Sequence, residues 1–381
     1  MKPDSVPEDT LLFAFEYPPC YGGISRLCGE IGRGFALSRV NARILTQHFE
    51  TKTPNPPLRE IRVPAQRPLR EWRTFRWLRN QPVRASTICS LWYPEGLIAY
   101  LAGVRPVVIL AHGAELLPTT HRWLRPFWSA VQRTVLEAAS LVIANSDYTG
   151  HLVSKVAPKA RVEFIPLAVD AERFAPRHRE AAKAKYGISG KQVLCTVSRI
   201  YAYKGHDIVL RAIASLSAKE RERLVYIVAG RGPYEAELRQ LAADLGVESN
   251  VHWLGFVAED DLSEVYSAAD LFVLCTRDSP EERSVEGFGL VFLEAQACGT
   301  PVVGTRTGGI PAAIRDGEGG WLMDQDDCPR LTAIIRHLIH SPDLFCDAGR
   351  RARQRVIREH KWDDYIRQLS SLMHGIGGSH E

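Results

Sequence analysis

The chain has 381 residues, of which 45% are hydrophobic and 24% charged, a composition typical of a soluble protein with two or three globular domains. No apolar run reaches the ~18 residues of a transmembrane helix, and the run at 11–15 is too short for the core of a signal peptide. Eight scattered cysteines without a CxxC pair argue against a zinc site or a disulfide framework. We therefore expect a cytoplasmic protein.

The net charge of +4 conceals an asymmetry between the two halves of the chain. Residues 1–170 carry 21 Lys and Arg against 14 Asp and Glu, whereas the remainder carries 27 against 30. The first half should therefore meet an anionic partner more readily than the second.

Short β-branched runs alternate with helical patterns along the whole chain. In the first half, strands are predicted at 11–15, 42–46, 87–91, 107–111, 141–144 and 162–165, and the helical patterns between them include 24–38, 122–139 and 149–156. In the second half, strands are predicted at 193–198, 224–229, 251–254, 270–275 and 301–304. Strands that alternate with helices indicate parallel sheets covered on both faces. Two series of strands predict two doubly wound α/β domains rather than one sheet of eleven strands.

The predicted junction between the domains is the segment 166–185, which contains two prolines, many charged residues and no clear periodicity. We assign residues 1–168 to an N-terminal domain and 169–359 to a C-terminal domain. A last helical pattern at 360–375 has apolar residues at helical spacing and is expected to be a packing face. Because doubly wound sheets bind ligands outside the carboxyl ends of their strands, a cleft between the two domains is the expected site.

Two loops of the first half follow predicted strands and contain candidate site residues. Gly22 and Gly23 open a helix, where glycine permits close approach of a ligand and the free N–H groups attract phosphate. A tight structural turn explains these glycines about as well. His112 follows the strand at 107–111, and it either contacts a ligand or makes a structural hydrogen bond.

Two loops of the second half have the same position relative to their strands. Arg199 and Lys204 lie five residues apart on the loop after the strand at 193–198. Two cations there are able to bind a diphosphate and to neutralise the charge of a departing nucleotide, although a solvated basic turn is the alternative. Gly230, in the sequence AGRGPY, either lines a nucleotide pocket or only reverses the chain.

The most informative stretch reads EGFGLVFLEAQACGTP and contains Glu286 and Glu294, eight residues apart. Between them a glycine-bounded turn enters a helix. The backbone N–H groups of Phe288, Gly289 and Leu290 are expected to be available to hydroxyl groups. Such a site suits a ligand that carries both phosphates and hydroxyls, which describes a sugar nucleotide.

A basic and aromatic stretch, RPLREWRTFRWLR, occupies residues 67–79, and a second one follows at 121–133. Arginine and tryptophan on an amphipathic helix are typical of the headgroup boundary of an anionic membrane. The alternatives are a surface helix whose tryptophans pack inward and, less favoured, a nucleic-acid surface. The residues assigned to a membrane or acceptor surface are Arg70, Trp72, Arg73, Arg76, Trp77 and Trp123.

Taken in chain order, the five loops that contain Gly22, His112, Arg199, Gly230 and Glu286 resemble those of the retaining glycosyltransferases of family 4. The GT-B fold of that family has two Rossmann-like domains facing across a cleft. The resemblance extends from residue 22 to about residue 314. The motifs that carry it are SRIYAYKG, the pair Glu286 and Glu294, and the runs VHWLGFVAEDDLSEVYSAADLFVL, GTPVVGTRTGGIPAAI and IPLAVD.

The resemblance implies a role for each candidate residue of the second half. Arg199 and Lys204 match the cations that hold the donor diphosphate. Glu294 matches the residue that binds the ribose hydroxyls, Glu286 the one beside the donor sugar, and the backbone at 288–290 the turn that binds its hydroxyls.

It also implies roles in the first half. Gly22 and Gly23 match the glycine loop at the diphosphate and acceptor, and His112 matches the histidine near the C6 hydroxyl of the donor sugar. The helix at 360–375 matches the last helix of the family, which packs on the N-terminal domain.

The implied reaction is metal-independent transfer of a hexose with retention of configuration. We find no DxD pair typical of metal-dependent transferases, so neither a metal nor another cofactor is expected. The run VEGFGLVFLEAQACGTPV resembles mannosyltransferases that act on lipids. The expected donor is therefore GDP-mannose, and the expected acceptor is a lipid-linked saccharide or a phospholipid at the cytoplasmic face of the membrane.

Other functions remain open at this point. One alternative is a soluble glycosyltransferase with a small sugar acceptor, and another is a sugar-nucleotide epimerase of the same fold. A non-catalytic nucleotide-binding protein is disfavoured by the complete set of candidate residues, and no nucleic-acid partner is expected. The base, the sugar, the linkage and the oligomeric state are not determined by the sequence.

Overall fold

A computed structural model describes residues 10–50, 56–81, 85–118, 123–279 and 284–377. The chain forms two compact units, which are described separately below. Unit 1 consists of residues 1–167 and 362–381, and unit 2 consists of residues 168–361.

The sheet of unit 1 has seven strands, all parallel, in the order β3-β2-β1-β4-β5-β6-β7. Because strand order reverses between β1 and β4, the carboxyl ends of these two strands mark the switch point of the sheet. The strands are β1 (Thr10–Phe13), β2 (Ala42–Gln47), β3 (Arg59–Val63), β4 (Ser86–Cys89), β5 (Val107–Ala111), β6 (Leu141–Ala144) and β7 (Val162–Phe164).

Six α-helices belong to the described part of unit 1, and the last of them comes from the C-terminal end of the chain. They are α1 (Gly23–Leu37), α2 (Leu69–Arg79), α3 (Leu97–Leu101), α4 (Arg125–Ala138), α5 (Asp147–Val156) and α15 (Trp362–Gly377). Helix α15 buries Tyr365, Ile366 and Leu369 and packs on α1. The two helices are so close that a Cβ at Gly34 of α1 would overlap the side chain of Ile366. The apolar stripe at the end of the chain is thus a packing face, as predicted.

The sheet of unit 2 has six parallel strands in the order β10-β9-β8-β11-β12-β13, which is the strand order of a dinucleotide-binding sheet. Its strands are β8 (Gln192–Val197), β9 (Leu224–Ala229), β10 (Val251–Gly255), β11 (Leu271–Leu274), β12 (Val302–Thr305) and β13 (Gly320–Met323). Its helices are α6 (Arg179–Lys185), α7 (His206–Ala214), α8 (Ala218–Glu222), α9 (Glu235–Asp244), α10 (Leu262–Ala268), α11 (Leu290–Ala297), α12 (Ile310–Ala313), α13 (Cys328–His340) and α14 (Pro342–Glu359).

The central strands of unit 2 are apolar along their whole length because both faces of the sheet are covered. In β9 all six residues are buried, and successive side chains belong to different core clusters on opposite faces. Each fully buried branched side chain contributes roughly 1.5–3 kcal/mol. This burial holds the strand ends, and therefore the loops that follow them, in fixed positions.

The prediction of two doubly wound α/β sheets is confirmed. All eleven predicted strands are present with small shifts at their ends, but the sequence analysis missed β3 and β13, which lie at the edges of their sheets. In the described ranges, no helix combines the length and the apolar character that crossing a membrane requires.

Candidate active site

The loops that follow β8 and β11 meet at the switch point of unit 2. These two strands are neighbours in the sheet, yet the chain leaves them toward opposite faces, which opens a crevice at their carboxyl ends. Arg199 and Lys204 lie on the loop after β8, and Glu286 lies on the loop after β11. Three of the predicted site residues therefore stand where the topology favours ligand binding.

Glycine is required where these loops approach each other most closely. Gly205 immediately precedes α7 and has a φ of 72°, and a Cβ at this position would overlap the carbonyl oxygen of Cys275, the residue after β11. A Cβ at Gly230 would likewise overlap the carbonyl oxygen of Ser198. The structure thus gives Gly230 a role in supporting the loop of Arg199, and direct contact with the donor stays a prediction.

Lys204 and Glu286 form an ion pair in which Nζ lies 2.6 Å from Oε2. The two side chains are only 11% and 20% exposed. Burial alone would lower the pKa of Lys204, but the carboxylate of Glu286 outweighs it and raises the pKa above its usual value. The lysine is therefore a permanent cation at the switch point.

Arg199 is exposed on the same loop, and its guanidinium lies 5.2 Å from the ring centre of Tyr201. The neighbouring Ile200 is fully buried and fixes the loop in the core. Among the described residues, Arg199 forms no ion pair. An exposed cation beside a nearly buried one suits the two phosphate groups of a diphosphate.

Arg277 was not recognised in the sequence analysis, although it ties the two loops together. Its guanidinium donates to both carboxylate oxygens of Asp207 at 2.9 and 2.8 Å, and to Asp326 at 2.6 Å. Its backbone N–H donates to the carbonyl of Tyr203 at 2.7 Å. The hydrogen bonds to Asp207 raise the pKa of the already basic guanidinium. Its partners Asp207 and Asp326 lie 70 and 49 residues away in the chain, so spacing along the sequence does not indicate them.

A buried chain of hydrogen bonds under the loop of Arg199 was also missed. His206 contacts the hydroxyl of Ser198 through Nε2 at 3.0 Å and that of Tyr226 through Nδ1 at 2.9 Å. Tyr226 donates to Thr196 at 2.8 Å, and Thr196 donates to the carbonyl of Val273. Because Tyr226 already donates its one hydroxyl proton to Thr196, its oxygen accepts from Nδ1 of His206.

The imidazole of His206 is neutral at physiological pH because burial, together with the charge of Lys204, lowers its pKa to about 4. A neutral side chain here adds no third cation to the pair of Arg199 and Lys204. In the sequence, these hydrogen bonds are indicated only by polar residues inside apolar strand patterns and by a histidine at the start of a helix.

The remaining candidates of unit 2 lie around the start of α11. Gly289 precedes the helix with a φ of 89°, and among the described residues no side chain caps the start of α11. Phe288 is buried and Leu290 is the first helical residue. Glu294 lies in the second turn, is 1% exposed, and accepts a hydrogen bond from Tyr266 at 2.7 Å. Glu286 is outside the helix, so the two glutamates sit in different environments.

In unit 1, Gly22 and Gly23 are exposed at the start of α1, which no side chain caps within the described ranges. Gly22 has a φ of 135°, a conformation that glycine adopts readily. The first N–H groups of α1 are therefore open to an anion, and their predicted role in binding a ligand stays a prediction.

His112 follows β5 and is held by several hydrogen bonds. Its Nε2 lies 2.7 Å from the carbonyl of Ser90 and must donate, because a carbonyl only accepts. Its backbone N–H donates to Glu115 at 2.7 Å, and its carbonyl accepts from Asn145 at 3.4 Å. The structural role weighed for this histidine is thus present, and Nδ1 is the nitrogen left for the predicted sugar contact.

Glu95, near the carboxyl end of β4, was not recognised in the sequence. It is 1% exposed, and one carboxylate oxygen accepts a hydrogen bond from the backbone N–H of Phe15 at 3.0 Å. The other oxygen, Oε2, is buried and has no partner among the described residues. Burial raises the pKa of Glu95 to about 7. The carboxyl group joins the ends of β1 and β4 at the switch point of unit 1.

Comparison with known proteins identifies the family. Residues 178–355 match the profile of the family described as glycosyl transferases group 1, and residues 21–173 match that of glycosyltransferase family 4. The D-inositol 3-phosphate glycosyltransferase 2 of Catenulispora acidiphila is 35% identical over an alignment of 299 residues that covers 73% of this chain and 68% of that protein. The chain belongs to the family 4 glycosyltransferases.

A second relative is similar to this glycosyltransferase along almost its whole length. A GDP-mannose-dependent alpha-(1-6)-phosphatidylinositol monomannoside mannosyltransferase of Mycolicibacterium smegmatis is 29% identical over 381 residues, covering 96% of this chain and 98% of that protein. The sucrose-phosphate synthase of Thermosynechococcus elongatus has a TM-score of 0.81 at 20% identity, covering 98% of this chain and 100% of that one. The predicted GT-B fold is thereby confirmed.

The residues assigned to a membrane or acceptor surface do not all lie on one side of helix α2 of this glycosyltransferase. Leu69, Trp72, Arg73 and Arg76 are exposed, and Arg76 lies 4.9 Å from the ring centre of Trp72. These four residues follow the spacing i, i+3, i+4 and i+7, so they form one stripe, called here the Trp72 face. Trp123 is 97% exposed at a separate position before α4.

Two members of the predicted surface point inward instead. Arg70 is buried, donates to Gln47 and Glu71 at 2.8 Å each, and stacks 4.0 Å from the ring centre of Phe15. Trp77 is half-buried and packs against the core of unit 1. Both residues hold α2 on the sheet, and we remove them from the candidate surface.

The sequence does contain a DxD pair, Asp324 and Asp326, which the sequence analysis overlooked. Asp326 is paired with Arg277. Within the described ranges, the His, Cys, Asp and Glu side chains form no group of three or more that could hold a metal ion.

Proposed function

We propose that the protein transfers a hexose from a nucleotide-diphosphate sugar, with GDP-mannose as the expected donor, and that the product retains the anomeric configuration. The observation that carries the proposal is the meeting of Arg199, Lys204 and Glu286 at the switch point of unit 2. The name of the mycobacterial relative supports GDP-mannose as the donor.

In the proposed reaction, Arg199 and Lys204 hold the diphosphate and neutralise the charge that develops as the bond from the anomeric carbon to the diphosphate breaks. The acceptor oxygen forms its bond on the same face of the sugar. Its proton passes to the departing diphosphate, so no protein carboxylate needs to act as nucleophile. Glu286 accepts hydrogen bonds from the sugar hydroxyls, and Glu294 from the ribose.

Arg199 and Lys204 supply two positive charges to the diphosphate, and we propose that the reaction therefore needs no metal ion. Turnover in the presence of EDTA, equal to turnover with added Mg²⁺ or Mn²⁺, is the expected result. The roles that the family resemblance implies for Gly22, Gly23 and His112 remain part of the proposal.

The acceptor is proposed to be a lipid that carries a phosphorylated inositol or a lipid-linked saccharide, reached at the cytoplasmic face of the membrane. The mycobacterial relative is named for a phosphatidylinositol monomannoside. The Trp72 face supports this location because arginines and an exposed tryptophan on one helix stripe suit anionic headgroups.

A small soluble acceptor is the second candidate. It is favoured by the relative from Catenulispora acidiphila, which is named a D-inositol 3-phosphate glycosyltransferase. Both names contain a phosphorylated inositol, so the two candidates share acceptor chemistry and differ in whether the acceptor is anchored in a membrane.

The donor is tested by a thermal-shift panel of nucleoside diphosphates and nucleotide sugars. A ligand that binds the folded state raises the melting temperature by mass action, so the preferred base and sugar give the largest increase. GDP-mannose is expected to lead the panel. No shift with any nucleotide or nucleotide sugar would contradict the proposal.

The acceptor is tested with labelled GDP-mannose in three parallel reactions, which contain phosphatidylinositol vesicles, soluble inositol phosphate, or neither. Label in the lipid fraction alone is expected. Label in the soluble fraction supports the second candidate, and isomerised donor in the reaction without acceptor would indicate an epimerase.

Membrane binding is tested by flotation with vesicles that contain anionic lipid. The variant W72A/R73E/R76E should lose flotation, whereas R350E/R351E, which reverses two exposed arginines of α14, should float like the wild type. Equal flotation of all three proteins would contradict a membrane role of the Trp72 face.

A further inference from the structure

The ion pair of Lys204 and Glu286 joins two groups to which the proposed function assigns different parts of one ligand. Lys204 is assigned to the diphosphate and Glu286 to the sugar. Their charged atoms are 2.6 Å apart, and both side chains are largely shielded from water. A charge-assisted hydrogen bond of this kind is about twice as strong as a neutral one. A ligand that binds the ammonium group of Lys204 must therefore break this hydrogen bond, and the carboxylate of Glu286 then needs another donor.

The backbones of Lys204 and Glu286 are held in place by their neighbours, so separating the ion pair requires movement of the side chains alone. The carbonyl of Glu286 accepts a hydrogen bond from Gly309 at 2.8 Å, and a Cβ at Gly308 would overlap that carbonyl. Gly205 holds the loop of Lys204 against Cys275 in the same manner. Rotation about the side-chain bonds of Glu286 is sufficient to separate the carboxylate from the ammonium group.

We propose that Glu286 discriminates between the nucleotide sugar and the free nucleoside diphosphate by competing with the diphosphate for Lys204. This inference rests on the proposed function. A diphosphate oxygen at Lys204 repels the carboxylate and displaces it. The sugar of the donor supplies hydroxyl groups that the displaced carboxylate can accept, whereas the free nucleoside diphosphate supplies none.

The same competition assists release of the product. Once the hexose has moved to the acceptor, the hydroxyls that satisfied Glu286 have left with it. The carboxylate then returns to Lys204 and weakens the hold of that lysine on the nucleoside diphosphate. Glu286 thus raises the affinity for the donor relative to the product and shortens the residence of the product.

The test compares dissociation constants of GDP and GDP-mannose, measured by calorimetry for the wild type, E286Q and E286A, with UDP and UDP-glucose measured in parallel. Both variants are expected to bind the free nucleoside diphosphate several-fold more tightly than the wild type. The ratio of the dissociation constants of product and donor should fall about tenfold, which corresponds to the loss of one hydrogen bond to a charged group. Melting temperatures establish that the variants are folded.

The matched control is E220Q, which removes a carboxylate from an ion pair with Arg336 at 2.9 Å. Glu220 lies in α8, immediately before β9, and therefore at the amino edge of the sheet, away from the site. It should leave the ratio unchanged. Because glutamine could itself donate to a phosphate, tighter binding in E286Q but not in E286A would overturn the proposal, as would an unchanged ratio in both. Absence of nucleotide binding in the wild type would instead contradict the proposed function.

Discussion

Arg277 and Asp207 form a bidentate ion pair that fastens the loop after β11 to the first turn of α7, with two hydrogen bonds of 2.9 and 2.8 Å. These are the two segments that place Glu286 and Lys204 beside each other. The planar guanidinium reaches both oxygens of one carboxylate at once, which a lysine ammonium cannot do. The geometry of the candidate site thus depends on a residue that is assigned no contact with the ligand.

Replacement of Arg277 by lysine should lower the free energy of unfolding of unit 2 by roughly 1–3 kcal/mol, because the hydrogen bonds to two carboxylates are lost while the charge is kept. Donor affinity in the thermal-shift assay should fall as well. The control is R239K, which alters an exposed pair with Glu235 one turn away and should cost at most about 0.5 kcal/mol. Equal effects of R277K and R239K in urea denaturation would contradict this prediction.

Gly205 should tolerate no side chain. It has a φ of 72°, and alanine there would overlap the carbonyl of Cys275 as well as strain the backbone. Gly190 has nearly the same φ, 73°, but open space around its Cβ position. G190A is therefore expected to cost only the backbone strain, about 1 kcal/mol, whereas G205A should cost several times more and weaken nucleotide binding. Similar melting temperatures for the two variants would show that close approach is not the constraint.

The stability of unit 2 should fall in acid because of His206. Its pKa decreases from 6.5 to about 4 on folding, so the unfolded chain binds more protons between these values. The free energy of unfolding contributed by this residue is fully present above about pH 6.5 and is lost as pH falls toward 4, by roughly 3 kcal/mol. H206N should remove this dependence, measured as hydrogen-exchange protection of β8 and β9. The same slope in both proteins would refute it.

Glu95 should produce the opposite pH dependence in unit 1. Its pKa rises from 4.5 to about 7 on folding, so the folded state binds more protons within that range. Its contribution to stability is fully present below about pH 4.5 and is lost as pH rises through 7, by roughly 3 kcal/mol. The amides of β1 and β4 should therefore be better protected in E95Q than in the wild type at pH 8. At pH 5 this difference between the two proteins should be smaller. A difference that does not change with pH would contradict this assignment.

Lys204→Ala should reduce turnover on the order of 10²–10³-fold, because it removes a preorganised charge beside the leaving group. The control is K219A, an exposed lysine of α8 at the amino edge of the sheet, which should retain wild-type turnover. Unchanged turnover in K204A with GDP-mannose and the selected acceptor would exclude Lys204 from the catalytic machinery.

Which strands were found in the sequence follows from their position in the sheets. Central strands such as Leu224–Ala229 are buried on both faces and therefore read as continuous apolar runs. Strand Arg59–Val63 pairs on one side only and carries three charged residues, so its pattern is that of a polar segment. Strand Gly320–Met323 is short, follows glycine and also pairs on one side. Edge strands need fewer apolar residues, and their sequence signal is correspondingly weak.

The candidate site shows the same division. Arg199, Lys204 and Glu286 follow strong strand patterns, and their positions at strand ends were therefore predictable. His206 and Tyr226 were missed because their contact depends on which face of β9 a side chain occupies and how α7 begins. Arg70 and Trp77 were misassigned because the spacing of a short helix does not say which side rests on the sheet.

The sequence by itself determined the two doubly wound sheets, the family, and the loops that carry the charged residues, because periodic burial and glycine turns are local properties of the chain. The tertiary structure alone decided the partners: Lys204 with Glu286, Arg277 with Asp207, and the neutral state of His206. These depend on contacts between segments up to 82 residues apart in the chain. Distance and burial, which set the strength of a charge and the pKa of a group, are created only when those segments are folded together.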